Sequence, residues 1–277
     1  MTEQFPSLGV ERVSFVLNGN TLTDEPPGET AMNQGTVDTS AITTLTFDVV
    51  GTVIDFETGI LEWWRPHLEG QGIRIEDAGI LAAFAEAEDR LQRQRPDLPF
   101  TDMLPLIYRD LAETWALNGD EEAAGDFQSS IAHWPAFPDS EEALRTLGQH
   151  FRLVAMTNAD AWATRAMNRT VGNAFDDQVT CDEVGVNKPD QRFFQYMLDR
   201  LGVTKQQVLH FAQSQYHDIG GARRFGLTTA WIERRHGEEG AGATPEAGER
   251  TEPDIHVHTL AELADFLITG GGGQQEL

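Results

Sequence analysis

Asp48 ends an almost continuous apolar run, ITTLTFDVV, and is followed by the turn Gly51-Thr52. A carboxylate at that place can act as a nucleophile or orient a ligand, although an aspartate after a strand also serves as an ordinary turn former. Three other apolar runs end in polar groups. Thr157-Asn158 offers a hydroxyl and an amide, which hold an anion without adding charge and equally well cap the helix that starts at Ala161. Lys188-Pro189 follows a short loop, and the chain has only one other lysine, Lys205, so a lysine beside a motif stands out. Gln213, Ser214 and Gln215 close the fourth run and lead to Asp218.

These residues need elements to bring them together. The apolar run at 42–50 reads as a parallel strand covered on both faces. From 61 to 137 the pattern becomes helical, with Ile80, Leu81, Phe84, Ala87 and Leu91 recurring at three and four residues, and Leu104, Ile107, Leu111, Ala112 and Trp115 repeating it. After Pro138 strands and helices alternate: strands at 151–157, 178–181, 208–213 and 228–233, with helices at 161–171, 191–201 and 219–225 between them. A last edge strand is expected at 255–257 and a last helix at 259–268. This rhythm predicts an α/β fold, a doubly wound parallel sheet of Rossmann-like type with an inserted helical cap domain. The expected division is a tail at 1–40, a core at 41–60 and 138–270, a cap at 61–137 and a flexible end at 271–277. In such sheets ligands bind beyond the carboxyl ends of the strands, where the polar groups above fall.

Composition narrows the partners. The 277 residues hold 45 acidic against 20 basic side chains, a formal charge of −25, so nucleic acid and anionic membrane are expected to be repelled. Cys181 is the single cysteine, which excludes an intramolecular disulfide and a thiolate metal cage. With no apolar run of membrane-spanning length and no leader pattern, a cytoplasmic protein is expected. The expected partner is a small-molecule carboxylate; a homodimer stays open, because Leu104 and Trp115 could face the core or a second copy. His256 and His258 share one strand face, but without a third ligand of similar placement a plain edge strand is the preferred reading, and no metal site is assigned.

In their order the motifs FDVVGTV, MTN, KPD and AQSQYHDIGGA resemble those of the haloacid dehalogenase superfamily of hydrolases over roughly residues 42–268. The resemblance implies a displacement in which Asp48 forms an ester with a substrate carbon and water then hydrolyses it. It assigns Asp48, Lys188 and Asp218 to catalysis, and Thr52, Thr157, Asn158, Gln213, Ser214 and Gln215 to the substrate wall. It also implies that Lys188 holds Asp48 ionised, since an ammonium within a few ångströms of a carboxylate lowers its pKa by roughly one to three units. Phosphatase members carry a second aspartate two positions after the nucleophile and an aspartate for magnesium in the last motif; here those positions are Val50 and Gln213. Valine transfers no proton, and neutral glutamine is a weak ligand for a hard dication. The chain is therefore closest to the 2-haloacid branch, with no cofactor, while another leaving group or a non-catalytic role are the alternatives. It departs from that branch at Val50, which replaces an aromatic residue, at Phe194, which replaces an aromatic hydroxyl, and in the stretch LAAFAEAEDRL, which offers Leu81, Ala82, Ala83 and Phe84 where the branch carries the cap arginine that receives the halide. Arg65, Arg90 and Arg93 are candidates to replace that arginine, with Trp63 and Trp64 as indole donors or apolar walls, although a place on the cap surface or in its core is the preferred reading for each.

Overall fold

The computed structural model describes residues 39–119, 121–238, 242–244, 248 and 250–269. All but the last two residues of the tail expected at 1–40, and all of the segment 271–277, lie outside them.

Six parallel strands form one sheet: β1 (Thr44–Phe47), β2 (Arg152–Thr157), β3 (Asp177–Thr180), β4 (Val208–Ala212), β5 (Thr228–Ile232) and β6 (Ile255–Val257), in the order β3-β2-β1-β4-β5-β6. β1 lies in the middle, with Phe47 beside Ala155 on one side and Phe211 on the other. Its side chains are buried on both faces, which is why its sequence shows no polar alternation. The strand is shorter than the apolar run: Asp48 still donates its N–H to the Phe211 carbonyl at 2.9 Å, and the chain then turns out of the sheet. Gly51, at φ +85°, makes that turn possible for the backbone.

Between β1 and β2 run α1 (Phe56–Gly70), α2 (Asp77–Gln94), α3 (Phe100–Thr114), α4 (Glu121–Ser130) and α5 (Ser140–Leu147). Helices α1 to α4 share an aromatic core in which Trp64 stacks on Tyr108 and meets Trp115 and Phe127 edge-on. Burying side chains of this size contributes about 1.5–3 kcal/mol each, enough to hold the helices together without a strand. Leu104 lies fully buried in this core, so it does not present an apolar face to a second copy. The crossovers α6 (Ala161–Thr170), α7 (Cys181–Val184), α8 (Gln191–Leu201), α9 (Gly220–Phe225) and the final α10 (Leu260–Thr269) flank the sheet. Among the described residues no helix is long and apolar enough to cross a membrane.

Candidate active site

The carboxyl ends of β1, β2 and β4 converge on a buried ammonium group. Lys188 Nζ donates to Asp48 Oδ1 at 2.9 Å, Asp218 Oδ1 at 2.6 Å and the Met156 carbonyl at 2.7 Å, which uses all three of its protons. Its side chain is 1% exposed, so the charge is worth far more here than at the surface, provided it stays paired. Asp218 reaches the site because the chain after β4 makes one turn of π-helix, Gln215–Ile219, a distortion common at functional sites. His210, buried inside β4, links Thr46 Oγ1 to Asp218 Oδ1 at 2.9 Å each and fixes that carboxylate from below.

The hydroxyl and amide groups expected on the substrate wall have other partners. Thr52 Oγ1 donates to Asp48 Oδ2 at 2.8 Å while accepting from the Gln213 N–H, so it orients the nucleophile. Asn158 Oδ1 accepts from the Lys188 N–H at 2.7 Å and its Nδ2 donates to the Lys188 carbonyl at 3.0 Å, clamping the lysine's own backbone. Thr157 Oγ1 accepts from the Ala159 N–H and lines the cavity. Ser214 Oγ accepts from the His217 N–H and starts the π-turn. Gln215 departs from the expectation: its Oε1 accepts from the Thr251 N–H, which turns the side chain away from the cavity wall.

Electrostatics correct a second expectation. Burial raises the Asp48 carboxyl above the ordinary range and outweighs Lys188, the next largest influence, because the single ammonium also serves Asp218, whose charge opposes that of Asp48. Asp218 itself falls below the ordinary range: burial works to raise it, but Lys188 and the His210 hydrogen bond together prevail. Lys188 stays above the ordinary lysine range, since its two carboxylates overcome the cost of burial.

Above this group lies a cavity of about 250 Å³, walled on the core side by Asp48, Thr157, Lys188 and Gln213 and on the helical side by Phe56, Glu88, Gln92, Phe100 and Met103. The helical wall carries no arginine. Arg65, Arg90 and Arg93 are 47–74% exposed and paired with Asp77, Asp110 and Asp89 respectively. Glu88 is instead the ionisable side chain of α2 in the wall; burial, reinforced by Asp89, pushes it up to about 8. Its Oε1 accepts from Gln92 Nε2 at 2.7 Å, and Gln92 Oε1 meets His217 Nε2 at 2.9 Å. His217 is driven down to about 4, chiefly by burial, so it is neutral and donates from Nε2 to Gln92. This chain of hydrogen bonds ties α2 to the turn that carries Asp218. Glu88 was absent from the sequence reading, although it falls four residues after Phe84 and three before Leu91, on the apolar stripe. His210 was equally hidden inside an apolar strand.

The donor set does not suit magnesium. The ammonium already occupies the space between the two carboxylates, Thr52 holds the other Asp48 oxygen, and position 213 supplies a neutral amide.

A doubly wound sheet with a helical insertion after its first strand, and an Asp-Lys-Asp group at the strand ends, defines a hydrolase of the haloacid dehalogenase-like type. The family description "haloacid dehalogenase-like hydrolase" matches residues 42–226, and the chain belongs to that family. An (S)-2-haloacid dehalogenase of Burkholderia cepacia is 29% identical over 236 residues, covering 80% of this chain and 93% of the relative. A phosphoserine phosphatase of Thermus thermophilus is 27% identical over 145 residues, covering 51% of this chain and 55% of the relative. In three dimensions the L-2-haloacid dehalogenase of Xanthobacter autotrophicus superposes with a TM-score of 0.67 at 19% identity, over 82% of this chain and 98% of that one.

Proposed function

We propose that the protein is a metal-independent hydrolase of small 2-substituted carboxylic acids and that 2-haloacids are its leading substrate class. The observation that carries this reading is the Lys188 ammonium shared by Asp48 and Asp218 under a small cavity, with no second acid at position 50 and no dication ligand at position 213. A halide leaves without a proton, so the missing acid is no handicap. The named dehalogenase relative matches the chain over most of both lengths.

The steps follow from the residues. An oxygen of Asp48 attacks C2 of the acid, the carbon–halogen bond breaks, and its electron pair departs with the halide, leaving an aspartyl ester. Thr52 and Lys188 hold the carboxylate in line and offset charge as it moves. Water then attacks the carbonyl carbon of the ester, and the bond from that carbon to the substrate-bound oxygen breaks. The 2-hydroxy acid departs with that oxygen and a proton from the water, and Asp48 is regenerated as a carboxylate with release of the second proton. Asp218, held by Lys188 and His210, positions that water. Below its pKa of about 8 Glu88 is a neutral acid with an O–H to donate, and it takes the substrate carboxylate or the departing halide from the side where an arginine is absent.

A second reading rests on the same Glu88. A protonated acid in the cavity wall can deliver its proton to a leaving group more basic than a halide. Both readings are tested by offering chloro- and bromo-acids together with oxygen-linked analogues, and by following halide and acid release. Halide release identifies the first; hydrolysis of the oxygen-linked compounds alone identifies the second. A single turnover in heavy-oxygen water tests the ester itself, which puts label into the enzyme and unlabelled oxygen into the product. Label in the first product would refute it.

A further inference from the structure

The parallel register of the sheet edge brings distant residues onto one face. Trp231 lies beside His256, and Glu233 N–H continues the ladder to the Val257 carbonyl at 2.8 Å, so Glu233 comes next to His258. Side chains alternate along strands, which puts Glu233, His256 and His258 on one side. The turn after β5 then folds back, its His236 N–H bonded to the Glu233 carbonyl, and the His236 ring lies against His258 with centroids 3.8 Å apart.

One carboxylate oxygen is the focus of all three imidazoles. His256 Nε2 lies 3.0 Å from Glu233 Oε2, an ordinary hydrogen bond. His236 Nδ1 lies 3.6 Å and His258 Nε2 3.9 Å from the same oxygen. These two are too long for hydrogen bonds, yet they approach the edge of a tetrahedron around zinc, about 3.4 Å for bonds of 2.0–2.1 Å. The other oxygen, Oε1, is held by Arg250 at 3.1 Å, and the His256 ring stacks on Trp231, so the carboxylate is fixed in direction.

We propose that Glu233 Oε2, His236 Nδ1 and His258 Nε2 bind a borderline divalent cation of the zinc type, with His256 donating to the ligating carboxylate as its outer partner. The ligand set is nitrogen-rich, which suits zinc over magnesium or calcium. The site is separate from the hydrolytic one. The next residue, Arg234, donates to the Thr52 carbonyl at 3.0 Å and to Asp139, and Arg235 pairs with Glu57 of α1. An ion at this place fastens the turn that braces the nucleophile loop and the root of α1.

The test is equilibrium dialysis of zinc against the untagged full-length chain after chelator treatment, with melting temperatures measured with and without zinc. One zinc per chain is expected, with a melting temperature that rises with free zinc. His258→Ala and His236→Ala should each weaken binding by at least about tenfold and abolish the thermal shift, while Asp48→Asn should bind as the wild type does. Position 236 lies on an exposed turn, so that variant reports even where His258→Ala fails to fold. No saturable binding, or unchanged affinity in the His236→Ala variant, overturns the site. Loss of binding in Asp48→Asn also overturns it, since it moves the ion to the cavity.

Discussion

The two walls of the cavity are built on different terms. On the core side most polar groups are committed: Lys188 has three acceptors, each Asp48 oxygen has a donor, and Asn158 grips the lysine backbone with both ends of its amide, while Asp218 Oδ2 is buried without a hydrogen-bond partner. On the helical side the wall is apolar apart from Glu88, Gln92 and Asp97, and the acid there has no cation against it. The core wall fixes what chemistry is done, and the helical wall decides which molecule receives it. A substitution on the core side should therefore remove turnover, whereas one on the helical side should move its pH range or its substrate.

The sharpest division comes from Asp48→Asn, which keeps the shape and an oxygen to accept from Lys188 but removes the nucleophile and the acceptor for Thr52. Turnover should fall by at least about 10³-fold with the melting temperature within a few degrees of wild type; retention of more than a tenth of the activity would place the chemistry elsewhere. Lys188→Met comes next and should act on stability as well. It leaves two buried carboxylates facing each other, and breaking a buried pair costs about 3–5 kcal/mol. At roughly 2–4 °C per kcal/mol in a chain of this size, melting should drop by about 10 °C at pH 8. The loss should shrink in acid, as Asp48, already raised by burial, takes up a proton. For the same reason the acid limb of wild-type activity should lie above the ordinary carboxylate range.

Glu88→Gln tests the helical wall. In the folded protein Glu88 holds its proton to about pH 8, against an ordinary value of 4.5. Between those values the folded state binds more protons than the unfolded one, so this group's contribution is fully present below pH 4.5 and is lost as pH rises through 8. The glutamine variant lacks that loss and should melt higher than wild type at pH 9, by about 10 °C. Activity on an anionic substrate should fall in the wild type above pH 8, when the wall gains a negative charge, and persist in the variant. Equal alkaline limbs, read from kcat/KM against pH, would show that Glu88 does not face the substrate.

The centre of the sheet was legible because β1 and most of β2 are buried on both faces and read as nearly continuous apolar runs, and the strand ends carried Asp48, Lys188 and Asp218 in order along the chain. Two things were not. The roles of Thr52, Asn158 and Gln215 depend on rotamers and partners distant in sequence: an amide after a strand can serve a ligand or a lysine 30 residues away, and only the fold decides. Glu88 and His210 were masked by their surroundings, since a polar residue on an apolar stripe or within a buried strand looks like an exception until the cavity or carboxylate beside it is known. The histidines of β6 lacked their partners for the same reason, because Glu233 becomes their neighbour only through the parallel register.

The smallest effect is expected from the three arginines that the sequence offered to the helical wall. Each is paired on the outer surface: Arg65 with Asp77 at 2.6 Å, Arg90 with Asp110, and Arg93 with Asp89 one helical turn away. Exposed pairs of this kind contribute little to stability, and salt screens them further. Arg65→Ala, Arg90→Ala and Arg93→Ala should each leave kcat/KM within about twofold of wild type. A tenfold loss in any one of them, with normal folding, would mean that α1 or α2 turns on substrate binding to bring a cation over Asp48. The helical wall would then resemble the core wall in charge, and the contrast between them would vanish once substrate binds.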